Sequence, residues 1–357
     1  MRVVQLLPEL HEGGVERGVV EMNREFVQKG VESFVISAGG KLEEQIIKDG
    51  GVHMRFDVCS KNPLTAPLRT AGLKKIFGQI QPDIIHARSR VPAWLSYFAR
   101  GDIPFVTTVH GFNSVNPYSA IMTKGERVIC VSNPVKKYIC QNYAIDEAKI
   151  RVIHRGVDLE KFDLQKIDKS FIATFKEQYD LQNKFIITSV GRITQLKDYE
   201  TFIEAIALLK EQKPNVRGLI VGGVRKDKEE YFKKLQDLVK RLGVEENIIF
   251  TGSIAKVSEI YALSDVVVSS SKKPESFGRS IAEAMAMNTP VVATAHGGAL
   301  DICKEGFGEL FSPGDARELA QKILHVKKRS DLREYVAKNF SLQQMVEKTL
   351  AVYEELL

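Results

Sequence analysis

The sequence predicts an α/β fold built from two doubly wound, Rossmann-like domains. Short β-rich runs alternate with stretches patterned as helices, most of the runs are continuously apolar, and the alternation restarts near the middle of the chain. Continuously apolar strands are typical of a parallel sheet that is covered on both faces. A chain of 357 residues is also long enough for two hydrophobic cores.

The first half of the chain predicts one parallel sheet. Its β-rich runs are VVQLLP, FVISA, VHMRFD, DIIHAR, PFVTTVH and RVICVS. Between the first two runs, Val15, Val19, Met22 and Phe26 recur at helical spacing, and Gly30 follows as the expected end of that helix. This order of strand, helix and strand predicts a βαβ unit.

The second half repeats the pattern from residue 185. Its runs are FIITSVGR, GLIVGG, NIIFTG, DVVVSSS and PVVATA, with helical stretches between them. The segment DLEKFDLQKIDKS is polar and charged, as expected for a linker, so we predict domains at 1–168 and 169–340. The closing segment, 341–357, predicts an amphipathic helix that packs back on one of the two domains.

Charge and composition limit the partners and the compartment. The net charge is +6, and residues 1–170 carry 24 Lys and Arg against 19 Asp and Glu. This excess is compatible with an anionic partner, such as a membrane surface or a phosphorylated glycan, or with solubility alone. The chain has no apolar run of membrane-spanning length, and it carries acids near its start where a signal peptide would stay apolar. Its four cysteines are sparse, as expected for free thiols in a reducing compartment. We predict a cytoplasmic protein with no nucleic-acid partner, and peripheral binding at the inner face of the membrane stays open.

Glycines follow the first predicted strand. Ligands of open α/β sheets bind at the carboxyl ends of the strands, so a cleft between two such domains is the expected site. Gly13 and Gly14 precede a predicted helix there, where backbone amides can approach an anion, although a plain tight turn is the alternative. The dinucleotide pattern G-x-G-x-x-G is not matched, which argues against a dehydrogenase.

Three basic side chains also follow predicted strands. His110 ends PFVTTVH and could donate a hydrogen bond to a sugar hydroxyl or a diphosphate oxygen, with a structural role as the alternative. Arg192 ends FIITSVGR, and Lys197 lies five residues further on. Two cations on one loop can clamp a pyrophosphate, and solvated loop charge is the alternative.

Two carboxylates lie in an otherwise apolar segment. Glu275 falls between the strand DVVVSSS and the helix FGRSIAEAMAM, and Glu283 lies within that helix. A buried carboxylate needs a hydrogen-bonding partner, which paired ribose hydroxyls would supply, and amides at 277–279 would suit a phosphate. The alternative for Glu283 is a capping box with Ser280.

Taken together, these motifs resemble the retaining GT-B glycosyltransferases of family 4. The resemblance rests on the E-x7-E motif of Glu275 and Glu283 and on the segments VGRITQLK, GGVERG, TVHG and VIHRGVD, which occur in the family's order over most of the chain. It implies two Rossmann-like domains that face each other across a deep cleft. It also implies that the helix 341–357 crosses back to join the N-terminal domain.

The resemblance assigns roles toward a nucleotide-sugar donor. Glu283 would hold the ribose hydroxyls and Glu275 the hydroxyls of the transferred sugar, while Arg192 and Lys197 would neutralise the diphosphate. His110 would contact the donor near its anomeric centre. The resemblance places further donor contacts at Gly13, Gly14, Ser253, Ile254, Ser276, Phe277, Gly278 and Arg279.

The sequence departs from the family at several positions. Glycine is common in the family where this chain has Ser276, Asn288 and Asp198, and the usual PNGVD reads HRGVD from His154 onward. None of these departures removes a charged site residue. Ser276 would lie beside the sugar pocket, so they bear on which donor is bound.

The expected chemistry is transfer without a metal or other cofactor. No two aspartates stand two positions apart, so an Asp-x-Asp metal motif is absent and the cations and helix-end amides would stabilise the leaving diphosphate. The resemblance further implies retention of anomeric configuration. A sugar-nucleotide epimerase of the same architecture and a non-catalytic two-lobed binder of nucleotide or glycan are the alternatives.

The acceptor is expected on the N-terminal domain. The loop after His110 contains Tyr118 and Lys124 as candidate acceptor contacts. The basic amphipathic stretch 61–81 is compatible with a membrane surface, or simply with a helix that covers the sheet. We therefore expect a lipid-linked or lipopolysaccharide-type acceptor, and a role in making cell-surface polysaccharide.

Overall fold

The computed structural model describes residues 1–11, 13–304 and 306–357. The chain folds into two compact units. The first unit contains residues 1–156 and 342–357, and the second contains residues 157–341. In the described residues, no helix is both long enough and apolar enough to span a bilayer.

The first unit is a parallel sheet with helices on both faces. Its strands are β1 (Arg2–Leu6), β2 (Glu32–Ser37), β3 (Val52–Arg55), β4 (Ile84–Ala87), β5 (Phe105–Val109), β6 (Arg127–Cys130) and β7 (Ile150–Val152). Its first five helices are α1 (Gly14–Gln28), α2 (Glu43–Lys48), α3 (Ala66–Ile80), α4 (Arg90–Ala99) and α5 (Asn133–Asn142). The strands pair in the order β3-β2-β1-β4-β5-β6-β7, all parallel. The order reverses beside β1, as in other doubly wound folds.

The second unit repeats this architecture. Its strands are β8 (Phe185–Val190), β9 (Val216–Val221), β10 (Ile248–Gly252), β11 (Val266–Ser269), β12 (Val291–Thr294) and β13 (Glu309–Phe311). Its helices are α6 (Lys169–Gln178), α7 (Tyr199–Gln212), α8 (Glu229–Arg241), α9 (Val257–Leu263), α10 (Arg279–Ala286), α11 (Ala299–Ile302), α12 (Ala316–His325) and α13 (Leu332–Phe340). These strands are also all parallel, in the order β10-β9-β8-β11-β12-β13.

The last helix, α14 (Leu342–Glu354), belongs to the first unit. Val346 and Tyr353 on its inner face are completely buried and pack with Phe26 of α1. The Tyr353 hydroxyl lies 2.6 Å from Nδ1 of His86, whose Nε2 lies 2.6 Å from the Thr108 hydroxyl. This buried chain of hydrogen bonds connects α14 to β4 and β5.

The segment after residue 156 packs in the second unit. Val157 and Phe162 are buried in the same core cluster as α10 and α13. Arg333 of α13 donates to the carbonyl oxygens of Leu159 and Phe162. The polar segment that the sequence suggested as a linker up to residue 168 is therefore anchored to the second unit by apolar and hydrogen-bonding contacts.

Candidate active site

A half-buried ion pair joins two loops of the second unit. Lys197 is the last residue of a short 3₁₀ turn after β8, Gln195–Lys197, and Glu275 lies between β11 and α10. The Lys197 Nζ is 2.7 Å from Oε1 of Glu275, and the Ser271 hydroxyl donates to the same oxygen. Burial raises the pKa of the Glu275 carboxyl, but Lys197 and Ser271 outweigh it, and the pKa lies below its usual value. Glu275 is therefore held in its ionised form.

The loop after β12 supports Glu275 from the other side. The amide of Gly298 donates to the Glu275 carbonyl oxygen at 2.8 Å. Gly297 has φ +59°, and a Cβ on either glycine would overlap the backbone of Glu275 or Phe277. The charge of His296, the first residue of this HGG segment, also lowers the pKa of Glu275. Sequence reasoning missed this loop, although HGG directly after an apolar strand was a visible signal of a close backbone approach.

Arg192 lies on the same loop as Lys197 but is exposed. Its guanidinium makes no ion pair or hydrogen bond within the described residues. The loop itself is fixed, because the Tyr199 hydroxyl donates to the Gly191 carbonyl at 2.5 Å and the Gly222 backbone packs against Gly191. The structure thus brings Lys197 and Glu275 together and leaves Arg192, on the same loop as Lys197, exposed to solvent.

Helix α10 begins without a side-chain cap. Its N-cap, Gly278, has φ +100°, and the preceding Phe277 is buried while Ser276 is half-buried. The positive end of the helix dipole therefore lies at residues 277–279, two to four positions after the ion-paired Glu275.

Glu283 is bound by two side chains of the second unit. Its Oε1 accepts from Nε of Arg279 at 3.2 Å, and its Oε2 accepts from the Tyr261 hydroxyl at 3.1 Å. The capping box considered from the sequence is wrong, because the helix begins at Arg279, so that Ser280 is already a helical residue and not the N-cap. Glu283 is instead a half-buried carboxylate with a tyrosine and an arginine beside it.

Ser253 and Ile254 lie after β10, at the same edge of the sheet as the other strand-end residues. Ser253 is exposed and close to Gly223, and Ile254 packs partly against the core. Neither makes a hydrogen bond or ion pair with Glu275 or Glu283 in the described residues. The part of the chain that the structure describes also contains no cluster of three or more His, Cys, Asp or Glu side chains that could hold a metal.

Two departures from the family's glycines adopt left-handed backbone. Asp198 has φ +48° and Asn288 has φ +55°. Asn and Asp are the non-glycine residues that tolerate this region best. Asp198 also accepts from the Thr201 hydroxyl at 2.8 Å, and Asn288 accepts from the Arg333 amide at 2.9 Å. These substitutions therefore preserve the backbone that glycine would adopt.

In the first unit, His110 follows β5 and lies against Arg155. Nη1 of Arg155 is 3.2 Å from Nδ1 of His110, and Nη2 donates to the carbonyl oxygen of Gly14. Burial, followed by the charges of Arg155 and Arg88, holds the pKa of His110 well below its usual value. The imidazole is therefore neutral at pH 7. Arg155 positions the ring, although in the sequence this residue stands out only as a departure from the family's PNGVD pattern.

The remaining predicted residues of the first unit lie around the same strand ends. Gly13 is the N-cap of α1 in extended backbone, and Gly14 begins the helix. Tyr118 and Lys124 flank the short 3₁₀ turn at 119–123, and both are exposed. In the stretch 61–81, α3 buries Leu73, Phe77 and Ile80 in the core. That helix covers the sheet, as the second interpretation of this stretch expected.

Both units match known protein families. The model described as "Glycosyl transferases group 1" matches residues 171–342, and the model described as "Glycosyltransferase Family 4" matches residues 12–161. A crystal structure of a glycosyltransferase from Rickettsia africae ESF-5 is 34% identical, with a TM-score of 0.92, and the match covers 99% of this chain and 98% of that one.

More distant relatives match over different lengths. An uncharacterized glycosyltransferase of Methanocaldococcus jannaschii is 27% identical over 66% of this chain. The match spans 60% of that relative's length, and 43% of the length of a second curated relative. The structure of Anabaena HepE in complex with UDP-glucose is 23% identical, with a TM-score of 0.84 and coverage of 99% of this chain and 100% of that one, which shows a shared fold.

Proposed function

This chain belongs to the group 1, family 4 glycosyltransferases, and we propose that it moves a sugar from a nucleotide-sugar donor to a glycan or lipid-linked acceptor. Membership confirms the predicted family, its GT-B fold and an enzymatic, sugar-transferring activity. This membership argues against the two alternatives left open by the sequence, a non-catalytic binder and an epimerase.

The observation that carries the donor proposal is the charge arrangement of the second unit. Lys197 pairs with Glu275 at 2.7 Å and shares its loop with the solvent-exposed Arg192, and Glu275 precedes the uncapped start of α10. Cations and helix-end amides are the groups that stabilise a departing diphosphate. The complex of Anabaena HepE with UDP-glucose supports a nucleotide sugar as the donor class.

In this proposal each residue has a distinct task. Arg192 and Lys197 neutralise the diphosphate, and Glu275 accepts hydrogen bonds from the hydroxyls of the transferred sugar. Glu283, whose oxygens lie 3.1 and 3.2 Å from Tyr261 and Arg279, accepts the ribose hydroxyls. Each partner orients the carboxylate and lowers the cost of keeping it half-buried.

We propose that transfer retains the anomeric configuration and needs no metal ion. Protein cations would take the place of a divalent metal in balancing the diphosphate charge. The leaving phosphate would accept the proton of the acceptor hydroxyl as the new glycosidic bond forms on the face that the diphosphate leaves, so that no proton is created or lost.

We propose that the acceptor binds the first unit, near Tyr118 and Lys124, and that the product belongs to lipopolysaccharide or another cell-surface polysaccharide. The basic excess of the first half of the chain would favour an anionic acceptor or peripheral contact with an anionic membrane at its cytoplasmic face.

The donor proposal is tested by slow hydrolysis of activated sugars without acceptor. The protein is incubated with UDP-, GDP- and ADP-sugars in excess EDTA, and proton NMR follows the released sugar. We expect one donor class to be consumed, with the anomer of the donor appearing first. Release of the opposite anomer would reject retention of configuration. A strict requirement for added Mg²⁺ would reject metal independence. Failure to hydrolyse any donor, together with no nucleotide binding, would reject the donor assignment.

A further inference from the structure

The first unit contains a cavity of about 280 Å³ at the carboxyl edge of its sheet. The wall includes residues that follow three strands: Pro8 after β1, Arg88 and Arg90 after β4, and His110 after β5. In doubly wound folds this edge is where ligands bind. The chemistry of the wall therefore indicates what kind of group the cavity accepts.

Arg88 is a buried cation without a carboxylate partner in the described residues. Its side chain is 7% exposed, and its Nη2 donates to Oε1 of Gln5 at 2.5 Å and lies 2.8 Å from the Met22 sulfur. Its Nε has no hydrogen-bond partner in the part of the chain that the structure describes. A buried guanidinium is costly unless an anion compensates its charge. No carboxylate of the described residues forms an ion pair with Arg88, so its charge is not compensated by the protein.

His110 presents a second unsatisfied donor. Because the Arg155 guanidinium can only donate, the 3.2 Å contact with Nδ1 makes that nitrogen the acceptor and assigns the hydrogen of the neutral ring to Nε2. Nε2 is buried and has no partner among the described residues. The ring lines the cavity together with Arg88, so both unpaired N–H groups belong to one wall.

Arg90 supplies a second guanidinium at the start of α4. Its side chain stacks over the Tyr118 ring at 5.3 Å and donates to the Ser119 hydroxyl at 3.2 Å, and it forms no ion pair with a described carboxylate. The preceding Ser89 is the extended N-cap of α4 and makes no side-chain capping bond. The positive end of α4 thus faces the same region as the two arginines.

We propose that this cavity binds a phosphate or carboxylate group of the acceptor, so that the acceptor class is an anionic sugar or sugar phosphate. Two guanidiniums and two unpaired N–H donors match the oxygens of such a group, and Glu16 is the only carboxylate among the described lining residues. The inference rests on the proposed function. The diphosphate of the donor is also an anion with phosphate oxygens. Competition between phosphate and nucleotide distinguishes an acceptor group from the donor diphosphate.

The test titrates the full-length protein with inorganic phosphate by calorimetry, with and without a saturating concentration of whichever of UDP, GDP and ADP binds the protein. We expect phosphate to bind in both cases. Arg90→Gln should weaken phosphate binding by about tenfold, because a charged hydrogen-bond donor is lost. The matched control is Arg100→Gln at the other end of α4, where Arg100 pairs with Glu126 at 2.7 Å, and it should change binding less than twofold.

Arg88→Met removes the buried cation and should abolish phosphate binding while leaving the unfolding transition cooperative. If this variant does not fold, the comparison of Arg90→Gln with Arg100→Gln decides whether phosphate binds in this cavity. Absence of phosphate binding, or equal effects of those two variants, would overturn the proposal. Displacement of phosphate by that nucleotide would also overturn it, because the anion would then occupy the donor position. Failure of UDP, GDP and ADP alike to bind would reject the donor assignment, and the variant comparison would still show whether phosphate binds at Arg90.

Discussion

Single side chains of the second unit have separable effects on turnover and binding. Lys197 is paired with Glu275 at 2.7 Å and, in our proposal, meets the charge that develops on the leaving diphosphate. Replacing it with alanine should lower kcat about 100-fold, because a preorganised positive charge is lost next to the leaving diphosphate. The change in the donor KM should be smaller.

The control for Lys197 is Lys322→Ala, which breaks a lysine–carboxylate pair of the same unit, with Glu309 at 3.0 Å. Steady-state kinetics of donor hydrolysis compares the two variants. If both lowered kcat equally, or neither did, Lys197 would have no special role in transfer.

The ionisation of His110 gives a pH prediction. Its pKa lies well below 6.5 because of burial and the charges of Arg155 and Arg88, so the folded ring stays neutral where the unfolded ring takes up a proton. The free energy of unfolding therefore falls as the pH drops below about 6.5, with a contribution from this residue of about 1.4 kcal/mol per pH unit.

His110→Asn should remove that contribution and flatten the dependence of stability on pH between 7 and 5. Urea unfolding at several pH values measures the slope, and His325→Asn, an exposed histidine on α12, is the control. An unchanged slope in His110→Asn would mean that the imidazole is protonated in the folded protein.

Among the secondary-structure elements, α10 depends on one glycine. Gly278 has φ +100°, and a Cβ there would lie 2.9 Å from Cδ1 of Ile281. Gly278→Ala should cost about 1–3 kcal/mol of unfolding free energy and weaken nucleotide binding, because the start of the helix must shift. Gly243→Ala, with φ +62° but open space, should cost about 1 kcal/mol and leave binding intact. Thermal unfolding and titration with the nucleotide that binds the wild-type protein check both variants, and equal losses of binding would contradict the assignment.

The strands that sequence reasoning found and missed differ in length. The apolar runs predicted β1 to β6 and β8 to β12, because strands buried on both faces need continuous apolar residues. The two missed strands, β7 and β13, are only three residues long, too short to show a continuous apolar run, whereas the edge strands β3 and β10 are longer and were predicted. The capping box predicted from Ser280 and Glu283 was wrong because Gly278, in left-handed backbone, is the N-cap of α10. A sequence pattern alone does not reveal that conformation.

The motifs also predicted more of the second-unit site than of the first. Lys197 and Glu275 follow predicted strands and are paired in the structure. Arg88 and Arg155 were not selected as site residues, because isolated arginines carry no spacing signal. Their importance depends on burial and on the orientation of His110, which only the fold determines.

For the molecule as a whole, the chain enters the second unit at residue 157 and returns to the first at residue 342. The returning helix α14 buries Val346 and Tyr353 and hydrogen-bonds His86. A chain that ends at Ser341 should therefore lose stable folding of the first unit, since apolar surface of its core is exposed and His86 loses a partner. A chain that lacks only the exposed Leu357 should unfold like the full-length protein. Circular dichroism during thermal unfolding compares the two, and similar transitions would show that α14 is dispensable.

The most direct test of the central claim, that the second unit binds the nucleotide of an activated sugar, is a calorimetric titration with UDP, GDP and ADP. We predict that one nucleotide binds and that Glu283→Ala weakens it about tenfold, since a charged acceptor for the ribose is lost. Glu200→Ala, which also removes a helix glutamate bound to a tyrosine hydroxyl, should bind normally. Equal affinities of the two variants, or no binding of any nucleotide, would contradict the account.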